Sequence, residues 1–431
     1  MKALLSLAIA MFAGLMMTRL LKKTHLPDVT AYLIAGVLIG PCFIGALGIP
    51  GIGFESYEEL EGVGLISDVA LGFIAFSIGN EFRLSQLKET GKQALVVGIL
   101  QAVTATVLVG IALLIFHLIR PDVLTVPAAI TLGAIAAATA PAATLMVVRQ
   151  YKAKGPLTDL LLPIVALDDA VGLVLFAVSF GIAKALSSGV VDLYTIVANP
   201  IIEITSSLLL GAVAGWVMTQ IEKLFNSNTN RLAITISFVF LTVALSMISV
   251  KIGPVTLGFS SLLVCMMLGS VFCNLCPLSE EIMENSDRWT GPLMVLFFVI
   301  SGAELELGVF KELASVLVGI IYMLARSAGK YIGARESAKL MRCDKNIVEY
   351  LGITLLPQAG VALGMCVTAS TLPEDGALIR NIVLFAVLIY ELVGPMMTKW
   401  ALQKAGDIKP MGDDVRNRRE RKLEQAKNVQ H

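Results

Sequence analysis

The chain has 431 residues, of which 56% are hydrophobic and only 15% charged. Soluble domains carry about 25% charged residues, so the composition excludes a soluble globular protein. The 33 basic and 33 acidic residues cancel to a formal net charge of zero, which leaves no excess of positive charge to recruit nucleic acid.

Apolar stretches of about twenty residues, each long enough to cross a bilayer as a helix, recur along the chain. They fall at 3–21, 29–49, 63–81, 92–117, 125–149, 156–185, 193–220, 231–250, 254–275, 288–304, 312–335, 347–370 and 377–399. The expectation is an all-α polytopic membrane protein of about 13 transmembrane helices. The first stretch has no small-residue cleavage site and runs straight into the next, so it reads as a helix rather than a signal peptide. Cations gather in alternate connections: Arg19, Lys22 and Lys23; Arg83, Lys88 and Lys92; Arg149, Lys152 and Lys154; Arg335, Lys339 and Arg342. The opposite connections include the acidic run ESYEELE at 55–61. The positive-inside rule then predicts an external N-terminus and a cytoplasmic C-terminus.

Two pairs of segments repeat. FSIGNEFRLSQLK (76–88) resembles FVISGAELELGVFK (298–311), matching Gly79, Glu81, Leu84 and Lys88 with Gly302, Glu304, Leu307 and Lys311. Asp169-Ala-Val-Gly172 is echoed by Glu391-Leu-Val-Gly394. The loop charges give the two halves opposite directions across the membrane, which predicts an inverted-topology repeat. AAATAPAATLMVV (136–148) and GITLLPQAGVALG (352–364) occupy related places, with Pro141 and Pro357 near mid-span. A proline there removes a backbone hydrogen bond and clashes with the preceding turn. Two such spans in corresponding halves predict two crossed discontinuous helices, where Thr139, Thr144 and Gln358 meet freed backbone groups.

Between these lies VALDDAVGLVLFAV (165–178), with Asp168 and Asp169 at the centre of its span. One ionised carboxylate there costs about 2.5–3.5 kcal/mol, and two cost roughly 5–7. Adjacent helical positions differ by about 100°, so one carboxylate can face a cavity while the other faces a neighbouring helix. Span eleven offers a partner in Arg326 or Lys330, four residues apart on one helix face. Glu391 is a third buried acid. Cys273 and Cys276 form a lone CxxC, and the three histidines complete no zinc site, so no resident metal or cofactor is expected. A dehydrated carboxylate can hold a proton or a small hard cation, but not both. A site competing for the two and opening to each side in turn predicts antiport.

The stretches LPDVTAYLIAGVLIGP (26–41), ATAPAAT (138–144), LDDAVGL (167–173), LLPQAGVALG (355–364) and YELVGP (390–395) resemble the monovalent cation:proton antiporter superfamily over about residues 1–400. Within it, the paired aspartates look like the electrogenic branch of bacterial Na⁺/H⁺ antiporters. The resemblance implies that Asp169 binds the cation, most simply Na⁺ or Li⁺, and that Asp168 shares the site and pairs with Arg326 or Lys330. It further implies a homodimer in the bacterial inner membrane. A core part (63–185 and 288–399) would move against a dimerisation part (1–50 and 193–275), with 401–431 as a short charged cytoplasmic tail. K⁺/H⁺ exchange is the near alternative. An intramembrane aspartyl protease also needs two membrane aspartates, but on facing helices and with a GxGD-type motif, and neither is present here.

Overall fold

With no water to satisfy backbone groups in a bilayer, an apolar chain must pair them within helices, and the chain does so almost throughout. The computed structural model describes residues 2–24, 26–48, 52–80, 83–188, 193–248, 250–252, 255–305, 313–369, 372 and 375–408. Among the described residues there are sixteen α-helices. The first eight are α1 (Lys2–Leu20), α2 (Asp28–Ile39), α3 (Tyr57–Glu61), α4 (Gly64–Asn80), α5 (Leu84–Ile119), α6 (Val126–Ile135), α7 (Pro141–Gln150) and α8 (Pro156–Ser188). They are followed by α9 (Leu193–Glu222), α10 (Asn228–Ser246), α11 (Ser261–Leu275), α12 (Ser279–Ala303), α13 (Leu313–Leu340), α14 (Lys345–Thr354), α15 (Gly360–Ala369) and α16 (Gly376–Ala405). Stretches of six of them, within α5, α8, α9, α10, α13 and α16, are long and apolar enough to cross a membrane.

Three boundaries depart from the hydropathy reading. Helix α5 starts at Leu84, and α12 starts at Ser279, because both continue as helix through polar first turns. The expected spans 231–250 and 254–275 do not meet in a short loop. Helix α10 stops at Ser246, and an antiparallel hairpin follows, β1 (Val250–Ile252) with β2 (Val255–Leu257), Lys251 opposite Thr256. The β-branched run there suits a strand, and Ser260 then caps α11 by accepting from the Leu263 N–H.

Helix packing sorts the rods into two sets. In the first are α1, α2, α4 and α9 to α12; in the second are α5 to α8 and α13 to α16. Each set is knitted by glycines at points of backbone contact. A Cβ on Gly36 of α2 would lie 2.0 Å from the Val299 carbonyl oxygen of α12, and one on Gly302 of α12 would lie 2.2 Å from the Leu33 oxygen of α2. In the second set, a Cβ on Gly329 of α13 would lie 2.7 Å from Cα of Ala105, and one on Gly333 would lie 2.8 Å from Cα of Gln101. Small residues four apart allow such approach between apolar helices. This sorting by packing differs from the expected division at two places. Segments 63–81 and 288–304, expected in the core part with Asp168, pack in the first set instead, α4 against α11 and α12 against α2.

The repeat is visible in this packing. Gly79 of α4 and its counterpart Gly302 of α12 are both contact glycines, the first seated on Met266 of α11 and the second on Leu33 of α2. The other matched positions Glu81, Leu307 and Lys311 lie outside the described residues. In the second set, α6 and α7 make one broken rod, and α14 and α15 make the other. Gly172 of α8 faces the first break at Ala138, and Gly394 of α16 faces the second at Pro357. Helix α8 is fixed at its start by Asp407, whose Oδ2 accepts the Thr158 N–H at 2.6 Å and its hydroxyl at 2.7 Å. The tail beyond Ile408 lies outside the described residues.

Candidate ion-binding site

Breaking a helix in mid-membrane leaves carbonyls at one new end and N–H groups at the other without partners. Helix α6 ends at Ile135 and α7 begins at Pro141, whose missing N–H suits a first-turn position. Each carbonyl from 135 to 138 is met by a side chain from α13 or from the second break. The Gln358 amide donates to Ile135 O at 3.0 Å, Arg326 Nε to Ala136 O at 3.1 Å, Lys330 Nζ to Ala137 O at 2.5 Å, and Arg326 Nη2 to Ala138 O at 2.6 Å. On the second break, Arg326 Nη1 donates to Leu356 O at 2.7 Å, and the Ala140 N–H reaches across to Pro357 O at 2.9 Å. Two cations therefore sit where half-helix C-termini concentrate negative dipole.

This answers which base pairs with Asp168. Lys330 Nζ lies 3.0 Å from Asp168 Oδ2, with both side chains fully buried. Arg326, equally buried, spends its fork on three backbone carbonyls and stacks over the Tyr390 ring at 4.5 Å. The sequence places both cations on one face of α13 but does not show that the breaks would present carbonyls one turn from the acid.

Asp168 is saturated with donors. The Thr139 hydroxyl donates to Oδ2 at 2.6 Å and accepts from Lys330 at 2.9 Å, while the Gln101 amide donates to Oδ1. Its neighbour differs. Asp169 is 3% exposed, and its Oδ1 has no hydrogen-bond partner among the described residues. Turning about 100° along α8 takes the second carboxylate away from the donors that surround the first.

The remaining expected residues divide. Thr139, Pro141, Pro357 and Gln358 are at the crossing, and Gln358 also donates to the Tyr322 hydroxyl at 2.9 Å. Thr144, in the first turn of α7, is buried with its hydroxyl unpartnered among the described residues. Glu391 is buried on α16 with one oxygen unpartnered, and no hydrogen bond or ion pair joins it to the aspartates among the described residues. Gln101 and Tyr322 were not foreseen. The one available signal for Gln101 was an amide inside the apolar run of 92–117.

A buried, charge-paired acid beside a second acid whose Oδ1 has no donor among the described residues, set at the crossing of two broken helices, fits a membrane transporter of small cations. The family comparison agrees: the model for the sodium/hydrogen exchanger, transmembrane, matches residues 7–404, and the chain belongs to that family. Among curated relatives, the Na⁺/H⁺ antiporter NhaS4 of Synechocystis is 22% identical over 334 residues, spanning 76% of this chain and 79% of that one. The high-affinity Na⁺/H⁺ antiporter NhaS3 of the same organism is 22% identical over 400 residues, spanning 84% and 81%. The structure of the sodium proton antiporter MjNhaP1 from Methanocaldococcus jannaschii at pH 8 shares the fold, with TM-score 0.67, 19% identity, and coverage of 95% of this chain and 99% of that one.

Proposed function

We propose that the chain exchanges a monovalent cation, Na⁺ or Li⁺ in preference to K⁺, for protons by alternating access. The observation that carries this reading is the unpartnered Oδ1 of Asp169 beside a fully partnered Asp168. Asp169 takes the cation, because an oxygen without donors is free to ligate a hard cation or to bind a proton, but not both. Asp168 is the charge-balancing acid, held by Lys330 while the cation occupies Asp169 and released from it when protons load. Two titrating acids per cation carry two protons inward for one Na⁺ outward, so the cycle moves net charge. The membrane potential then supplies about 2.3 kcal/mol per charge per 100 mV.

The architecture fits that cycle. With each broken pair counted as one rod and the five-residue α3 set aside, the sixteen helices become thirteen, and we assign these as the spans. The second packing set, which holds every residue of the site, is the moving core; the first is the dimerisation part of a homodimer. The cation-rich loops support a cytoplasmic C-terminus, with a bacterial inner membrane as the membrane crossed.

Reconstitution into liposomes with a preset pH gradient tests the reading. Addition of Na⁺ or Li⁺ should dissipate the gradient, with K⁺ and Rb⁺ weaker, and a sodium jump on a solid-supported membrane should give a current. Dissipation by K⁺ alone would move the chain to potassium exchange. Silent currents with intact exchange would remove the charge-balancing role of Asp168.

A further inference from the structure

Tyr390 has no part in the exchange assigned above, yet it touches the arginine that spans both breaks. It is buried on α16, and the Arg326 guanidinium carbon lies 4.5 Å from the centre of its ring. Its hydroxyl donates to Met323 O at 2.8 Å and lies 2.8 Å from the Ser327 hydroxyl. A phenol has one hydrogen to give, so Ser327 is the donor in the second bond. Met323 and Ser327 flank Arg326 along α13. The ring is thus pinned at its tip to the same helix whose arginine lies over its face.

One turn further along α16, Gly394 makes a second contact. A Cβ there would lie 2.9 Å from Cγ and 3.0 Å from Cα of Pro357. Arg326 Nη1 donates at 2.7 Å to Leu356 O, the carbonyl just before that proline. The contacts close a circuit, from Tyr390 to Arg326, on to the second break, and back to Gly394. The same guanidinium also reaches Ala136 O and Ala138 O of the first break. Its donors form a rigid planar fork, so they meet separated acceptors only when that plane is correctly turned. An aromatic face attracts the charge and gives the fork a surface to lie against.

We propose that Tyr390 is a positioning residue for exchange: its ring sets the plane of the Arg326 guanidinium, so that one side chain holds the carbonyl ends of both breaks at the spacing the cation site requires. The hydroxyl bonds fix the ring, and the ring fixes the fork. This rests on the reading that the crossing binds the transported cation. No hydrogen bond joins Tyr390 to either aspartate among the described residues. Its loss should therefore weaken cation binding without removing a ligand, which raises the sodium half-saturation and leaves the maximal rate nearly unchanged.

Two substitutions in two backgrounds test it. Tyr390→Phe keeps the ring and loses the hydroxyl; Tyr390→Leu loses both. In liposomes, sodium half-saturation should rise about threefold for Tyr390→Phe and about tenfold for Tyr390→Leu, with the maximal rate changed less than about twofold. In Arg326→Lys the ammonium has no plane to set, and there each substitution should raise half-saturation by less than about one and a half times. Equal rises in the two backgrounds overturn the proposal, as does a fall in maximal rate at unchanged half-saturation. Should Tyr390→Leu not fold, Tyr390→Phe in both backgrounds decides alone. A wild type that exchanges no cation would count against the antiport reading itself. The same four-way comparison is then read as melting temperatures: a joint fall smaller than the sum of the single falls supports the proposal, and falls that simply add overturn it.

Discussion

Lys330 reaches Asp168 at 3.0 Å, whereas Arg326, one turn earlier on the same helix, gives its hydrogen bonds among the described residues to backbone oxygens. The two cations, indistinguishable by position on α13, have different work. A substitution series separates them. Asp168→Asn leaves a buried ammonium without its counter-charge, and breaking a buried pair costs about 3–5 kcal/mol. Thermal unfolding in detergent should show a clear fall for Asp168→Asn and recovery in Asp168→Asn with Lys330→Gln. Recovery with Arg326→Gln instead would reverse the assignment.

Asp169→Asn should behave in the opposite way. No donor is lost at Oδ1, so the melting temperature should hold or rise. Cation-dependent proton movement in liposomes should fall to background. Retention of a tenth or more of the wild-type rate would displace Asp169 from the ion site.

Arg326→Ala strips donors from Ala136 O, Ala138 O and Leu356 O together. Hydrogen bonds to charged groups contribute about 1.5–3 kcal/mol each and do not simply add, so a loss of several kcal/mol is expected. Arg326→Lys should fall between, because an ammonium cannot span both breaks as the planar fork does. The check is thermal unfolding beside the sodium dependence of exchange, with the half-saturating concentration rising as the crossing loosens.

Gly333→Ala places a methyl 2.8 Å from Cα of Gln101, where backbone must move. Overpacking of this kind costs about 1–3 kcal/mol. Gly110→Ala, in the same helix pair but with nothing within 4 Å of the new methyl, is the control. It should be neutral or stabilising by up to about 1 kcal/mol, since alanine is the better helix former. Equal melting temperatures for the two would show that the α5–α13 contact is looser than described.

Much of this was legible in the residues. Asp168, Asp169, Pro141 and Pro357 stand out because each violates the rule for its surroundings, a charge in hydrocarbon or a proline in a helix. Spans were found by hydropathy because a bilayer imposes length. What hydropathy cannot carry is partnership between helices distant in sequence. Segments 63–81 and 288–304 look like neighbours of the aspartate helix along the chain, but contact glycines seat them elsewhere. Gln101 has no local oddity beyond being polar, and its meaning appears only when α5 lies against α8 and α13. The hairpin at 250–257 was hidden because valine and isoleucine score as membrane residues in either conformation.

The contact glycines also mark a seam. Among the described residues, the helix-to-helix backbone contacts that they allow stay within one packing set or the other, and none joins the two. Where the sets meet at the end of α7, side chains do the joining: Arg149 pairs with Asp287 of α12 at 2.9 Å, and Gln150 accepts the Asp28 N–H of α2 at 2.8 Å. Interlocked backbones have no play, while side-chain contacts can be exchanged for others by rotation. Asp168, Asp169, Lys330, Arg326 and Gln101 all ride on the same side of that line. A displacement along it would leave every distance among these five residues unaltered, so the cluster would move as one piece.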